Sequence, residues 1–270
     1  MIEGRLEEPV QEGLGFVHPS TLAQGCFLAV ARELLGHPKA EPGVRRLRLM
    51  QAGNAAHERV MNYVRPFLVA QEVPFLDPEH RIKGRCDGLL FIPKTLSPND
   101  AGFYVLEVKA VSSTSFLELK ATGTPRIEHV RQCQIYQWGL ANSYELRIQG
   151  GLIYYENRDT LEYALFLAPS MDQGFSELLE KLRFVVGLAK EGRLPEGPEY
   201  KLPEGHWAHR YCPYLHLCGY GQGVVAQNKG HLSEALRAKI IAQSIVKKAH
   251  KKEGRKQKSL EELAEEFGWE

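Results

Sequence analysis

Residues 103–111, FYVLEVKAV, limit what this chain can fold into more than any other segment. Side chains alternate faces along a strand, so Leu106 and Val108 turn to the core while Glu107 and Lys109 share the other face. Two charged groups therefore project together from an otherwise apolar strand. Upstream, residues 82–92 carry GRCDGLL around Asp87 and form a second strand-like run, with a Pro-, Ser- and Asn-rich hairpin loop over 93–102. With paired strands about 4.8 Å apart, Asp87 joins the face of Glu107 and sets a second carboxylate beside it.

Two carboxylates and a lysine suit hydrolysis of a phosphodiester. Magnesium or manganese takes oxygen ligands, so Asp87, Glu107 and a backbone carbonyl such as that of Val108 can hold it, and the ion polarises a phosphate and acidifies water. Lys109 can orient that water and screen developing charge. Taken alone, Glu-x-Lys on a strand is equally the pattern of an exposed salt bridge. The flanking residues argue for a site: His57, on a helix ahead of the strands, can complete a metal shell, and Gln132 and Tyr136, one turn apart on a later helix, can hold a nucleic-acid strand by hydrogen bonding and stacking. Ser112 and Ser113, directly after the strand, can donate to phosphates.

The remaining pattern organises an α/β chain. Helices are expected over 20–36, 44–68, 127–142 and 170–190, and strands over 69–75, 82–92, 103–111, 146–155 and 161–167. The first three strands form an antiparallel meander, and residues 112–126 a Ser/Thr-rich linker. Residues 192–205, with three prolines and three glycines, form a loop that leads into a compact Cys/His segment. The domain boundaries follow: an N-terminal extension over 1–19, a core over 20–228, and a tail over 229–270. Ten Lys or Arg against two acids between Lys229 and Lys258 make that tail a basic helical arm for phosphate backbones or a solvated helix face. Overall, Lys+Arg 34 against Asp+Glu 33 leaves a net charge of +1 that names no partner. No run approaches the roughly 18 apolar residues of a membrane-spanning helix, and the acidic N-terminus is no secretory signal, so a cytoplasmic protein is expected. Five cysteines are too few and odd in number for a secreted disulfide scaffold. Cys86 and Cys133 fit as core thiols, flanking residues expected to face the site.

The ordered set GNAAH at Gly53–His57, Asp87 in GRCDG, Glu107 and Lys109 in EVK, and QCQIY at Gln132–Tyr136 resembles the PD-(D/E)xK nuclease superfamily, in particular its RecB-like exonucleases. The resemblance covers about residues 20–218. It implies a restriction-endonuclease-like core, a mixed central sheet flanked by helices, followed here by the helical C-terminal tail. It also implies metal binding by His57, Asp87 and Glu107, catalysis by Lys109, and support of the site and DNA by Gln132 and Tyr136. Glu72 stands where relatives often carry a glutamate. The subgroup of CRISPR-associated and AddB-type nucleases holds an iron–sulfur cluster through one early cysteine and a late C-x2-C-x5-C. Here the matching positions are Cys26, His209, Cys212 and Cys218, the first of the late cysteines being a histidine. By ligand chemistry three cysteines and a histidine hold iron–sulfur or structural zinc, and a set that binds no metal is the third option.

The function implied is a metal-dependent DNA exonuclease acting on single-stranded or resected ends, with possible recombination or CRISPR partner proteins and no membrane. The alternatives are a DNA-binding or assembly subunit with a vestigial site, and an endonuclease of the same fold.

Overall fold

The alternating runs between residues 68 and 111 fold as the expected meander. In the computed structural model β1 (Leu68–Asp77), β2 (Ile82–Ile92) and β3 (Gly102–Val111) pair antiparallel in sequence order. The chain then crosses over through α4 (Ser113–Thr122) and α5 (Ile127–Tyr144) to β4 (Ile148–Asn157), parallel to β3, and β5 (Tyr163–Ala168) closes the sheet antiparallel to β4. The result is an α/β fold with a five-stranded mixed sheet, ordered β1-β2-β3-β4-β5 and flanked by helices. Contacts divide the chain into two units, Met1–Gln227 and Asn228–Glu270. The structure describes residues 14–219, all in the first unit. The expected basic tail and most of the expected N-terminal extension lie outside the described residues.

Both faces of the sheet are covered. α5 crosses one face with α1 (Pro19–Ala23), α2 (Phe27–Leu34) and α6 (Gln173–Lys190), enclosing the larger core around Val105, Tyr136, Ile153 and Leu182. α3 (Val44–Tyr63) packs on the other face over a smaller cluster of Val60, Met61, Leu90, Leu106 and Val108. α5 approaches closely because glycines stand at the contact, Gly139 on the helix and Gly151 on β4. A methyl group on Gly139 would lie 2.2 Å from the Phe75 ring, and one on Gly151 would lie 2.2 Å from Cys133 Sγ.

Three expectations need correction. The helix expected over 20–36 is broken at Gln24–Gly25, where Gly25 takes φ of 77°, and Cys26 caps the second piece. The second helix ends at Tyr63, because Leu68 already pairs with Leu90 in the sheet. The Ser/Thr-rich linker contains α4, started by the Ser112 hydroxyl on the Ser115 amide and stopped by Gly123 at φ of 66°. No helix among the described residues is long and apolar enough to cross a membrane.

Candidate active site

Three strands and a helix converge on Asp87. The ladder between β2 and β3 ends at Gly88↔Leu106. One step beyond, Asp87 Oδ2 accepts the Val108 amide at 2.7 Å, so a side chain serves as the acceptor where the strands part. From α3, His57 places Nδ1 3.4 Å from Asp87 Oδ1. From β1, Glu72 lies between the pairs Gln71↔Gly88 and Val73↔Cys86, and so opposite Asp87. Its φ of 54° is left-handed, a conformation that costs a non-glycine residue about 1–2 kcal/mol, and its carboxylate pairs with the Arg85 guanidinium. Ligand atoms of His57, Glu72 and Asp87 all lie within 4.8 Å of one another.

Glu107 and Lys109 occupy the α5 side of β3, in line with Val105 and Val111 of the larger core. β3 is central and covered on both faces, so Glu107 is only 1% exposed and does not stand on an open strand face. Its Oε1 pairs with Lys109 Nζ, while Oε2 is buried with no hydrogen-bond partner. The close group of possible ligands contains Glu72 beside His57 and Asp87, while the adjoining Glu107 has one carboxylate oxygen on Lys109. The charges remain mutually felt. Burial pushes the Glu107 carboxyl up to about 7, with Lys109 opposing and Asp87 adding to the rise. Burial likewise raises Asp87 to about 6, against Lys109 and the Val108 amide. For Lys109 burial works downward, but Glu107 and Asp87 outweigh it and hold the ammonium above its ordinary value. Burial lowers His57, partly offset by Glu107 and by a hydrogen bond to the Val108 backbone.

These residues fit a divalent cation. A buried carboxylate oxygen without a donor is costly, two adjacent carboxyls resist ionisation, and the donors at hand are mostly oxygens, the kind that Mg²⁺ and Mn²⁺ prefer.

α5 fixes the lysine. Lys109 Nζ donates to Gln132 Oε1 at 3.2 Å, and Gln132 Nε2 donates to the Tyr136 hydroxyl at 3.0 Å. Tyr136 is 2% exposed and packs edge-on against Phe75. Gln132 and Tyr136, expected to support the site and the nucleic-acid strand, are both buried here, and their side-chain hydrogen bonds run inward to Lys109. Ser112 and Ser113 are also committed within the protein. Ser112 caps α4, and the Ser113 hydroxyl donates to the Asp159 carboxylate with Asn157 Oδ1 3.1 Å away as the alternative acceptor. Both shape the turn after β3. Sequence reasoning passed over His129, although its spacing from Gln132 and Tyr136 marks it as a member of their helix face.

No family model matches the chain. No curated protein matches it either. Solved structures do resemble it: the alkaline exonuclease LHK-Exo of Laribacter hongkongensis, at 16% identity and a TM-score of 0.48, over 66% of this chain and 90% of that one. LHK-Exo in complex with dAMP gives the same values. The structure of SSO0001 is similar at 18% identity and a TM-score of 0.48, over 78% of this chain and 88% of that one. Likenesses at this level carry no functional weight.

All five cysteines are free. Cys26 caps α2, and Cys212 and Cys218 flank the 3-10 turn Leu215–Leu217. Burial raises the thiols of Cys26 and Cys212, and each is raised further by Cys218. His209 is buried with Nε2 3.1 Å from the Pro203 carbonyl. Cys26, His209 and Cys212 line a cavity of about 440 Å³. Cys86 and Cys133 are fully buried, as expected of core thiols.

Proposed function

We propose that the chain is a metal-dependent deoxyribonuclease that shortens DNA from free ends, preferring single-stranded or resected DNA in recombination, repair or CRISPR adaptation, where it works with partner proteins. The carrying observation is the partnerless, buried Oε2 of Glu107 beside the ion-paired Lys109 and the His57, Glu72 and Asp87 group. Asp87, Glu107, His57 and the Val108 carbonyl, joined by Glu72, would hold Mg²⁺ or Mn²⁺. Such an ion supplies Lewis acidity toward phosphate and a more acidic water. Lys109, kept protonated and aimed by Gln132, orients the attacking water and offsets charge accumulating on the phosphate. Tyr136 stays neutral because burial raises its phenol far above the ordinary value, so it holds Gln132 without adding charge.

Cys26, His209, Cys212 and Cys218 are assigned to an iron–sulfur cluster. What supports a shared metal group is that Cys26, His209 and Cys212 line one cavity and that Cys218 acts electrostatically on both Cys26 and Cys212. Free thiols throughout also suit a reducing cytoplasm.

End-labelled linear single-stranded DNA, incubated with Mg²⁺ or Mn²⁺, tests the function. Wild type should shorten it and leave closed circles intact, and Lys109→Ala should be slower by about 10²- to 10⁴-fold. Equal rates in the two proteins, or no digestion by folded wild type, would refute the assignment. Iron and sulfide content after anaerobic purification decides the cluster against zinc.

A further inference from the structure

α5 presents one more polar side chain on the face that carries Gln132 and Tyr136. His129 stands three residues before Gln132 and seven before Tyr136, spacings that align side chains along one helix face. Opposite it, β4 supplies Tyr155, fully buried, with its ring centroid 5.4 Å from that of the imidazole. The Tyr155 hydroxyl has two partners. It receives the Arg126 backbone amide at 3.2 Å and lies 2.7 Å from His129 Nδ1.

These contacts decide where the histidine carries its proton. A backbone amide only donates, so the phenol proton has His129 Nδ1 as its one available acceptor. A proton on Nδ1 would leave that buried hydroxyl donor unpaired, which is unfavourable. The imidazole is therefore held with its proton on Nε2. Burial, then the positive charges of Lys109 and Arg126, hold its pKa well below the ordinary value, so the ring is neutral near pH 7. His129 is half-buried, and among the described residues its Nε2 has no protein acceptor and is not sealed from solvent.

We propose that His129 is a substrate-binding residue whose Nε2–H donates to a non-bridging phosphate oxygen of the nucleic-acid strand at the Lys109 site. The placement of that phosphate rests on the nuclease reading above. A phosphate oxygen only accepts, and its charge is drawn to Lys109, which stands across the ladder from Tyr155 and is held by Gln132 one turn along the helix from His129. The ring contributes direction and no charge. Being neutral, it is a donor of a hydrogen bond and not a proton source for the leaving group.

The test measures anisotropy of a fluorescein-labelled 15-nucleotide DNA strand, and of its RNA equivalent, with the full chain in chelator. His129→Gln keeps a donor near the Nε2 position and should bind within about twofold of wild type, while His129→Ala should bind about tenfold more weakly, as loss of a hydrogen bond to a charged group predicts. His129→Ala should keep the wild-type salt dependence, whereas losing a charged contact such as Arg126 lowers the slope by about 0.7 on a single strand. Imidazole ¹⁵N spectra of wild type should report the Nε2–H form, and added strand should move the Nε2 resonance. Wild-type affinity in His129→Ala, a flattened salt slope in that variant, an Nδ1–H spectrum, or an unmoved Nε2 resonance would each overturn the proposal. Hydrolysis plays no part in these readouts. Binding lost in His129→Ala by a protein that never digests DNA would sink the nuclease reading and keep the contact; digestion by a protein with an indifferent His129 would do the reverse. A response shared by DNA and RNA assigns the contact to phosphate, whereas one confined to DNA assigns it to DNA phosphates alone.

Discussion

Glu107 shows how one residue sets the behaviour of the metal-free site. Its carboxyl titrates near 7, above the ordinary value of 4.5, and Asp87 near 6 against 3.8, burial being the main cause in both. Between roughly pH 4 and 7 these two folded carboxyls therefore hold protons that the unfolded chain has released, so their contribution to stability falls as pH rises through that window, while the lowered His57 and His129 work the other way. Lys109, raised above 10.5, titrates outside it. In chelator, the melting midpoint of Glu107→Gln should gain on that of wild type as pH rises from 5 to 7.5, because the variant keeps the protonated form's hydrogen-bonding pattern at every pH. Adding Mn²⁺ should restore the midpoint increasingly as pH rises, because the ion competes with those protons. Parallel pH profiles for wild type and Glu107→Gln would rule out this account of Glu107. The residues of this site were legible in the sequence because His57, Asp87, Glu107, Lys109, Gln132 and Tyr136 occur together as an ordered set; Glu107 and Lys109 alone would have read as a strand salt bridge. Their surroundings were less so: nothing local to EVK says that β3 is covered on both faces, and that coverage is what buries Gln132 and Tyr136 beside Lys109.

At the scale of elements, the packing of α5 on the sheet carries the site, because it fixes Gln132 against Lys109 and Tyr155 against His129. That approach depends on Gly139. By helix propensity alone, Gly139→Ala would stabilise α5 by about 1 kcal/mol. The added methyl would sit 2.2 Å from the buried Phe75 ring, so overpacking should dominate, and we expect destabilisation by about 1–3 kcal/mol in denaturant unfolding. Digestion should suffer with it as α5 shifts away from Lys109, and a stabilised Gly139→Ala protein would show that the helix lies farther from β1. Strands and long helices were readable from periodicity. α4 was not, since its only buried positions are Phe116 and Leu119 and its apolar residues do not favour one face; the cap at Ser112 and the stop at Gly123 were the available signals. The break at Gly25 was equally hidden, because the apolar spacing of four continues through it.

At the scale of the whole described molecule, the open question is what joins its beginning to its end. Protein contacts already do so in part: Arg32 on α2 donates to the Leu217 carbonyl at 2.7 Å, and the Ala40 amide donates to the Pro213 carbonyl at 2.8 Å. Cys26, Cys212 and Cys218 sit at the same junction, between segments nearly two hundred residues apart. Were they only packed thiols, Cys26→Ala and Cys212→Ala would each cost a small cavity term, and the two would add. Ligands of one bound group behave differently, because losing either releases the group and the second loss then costs little. We expect each single variant to lower the melting midpoint clearly, the double variant to match the worse single, and the visible absorption of the cluster to vanish in all three. Additive shifts without any metal in wild type would mean that the hydrogen bonds of Arg32 and Ala40, and not a cofactor, close the fold.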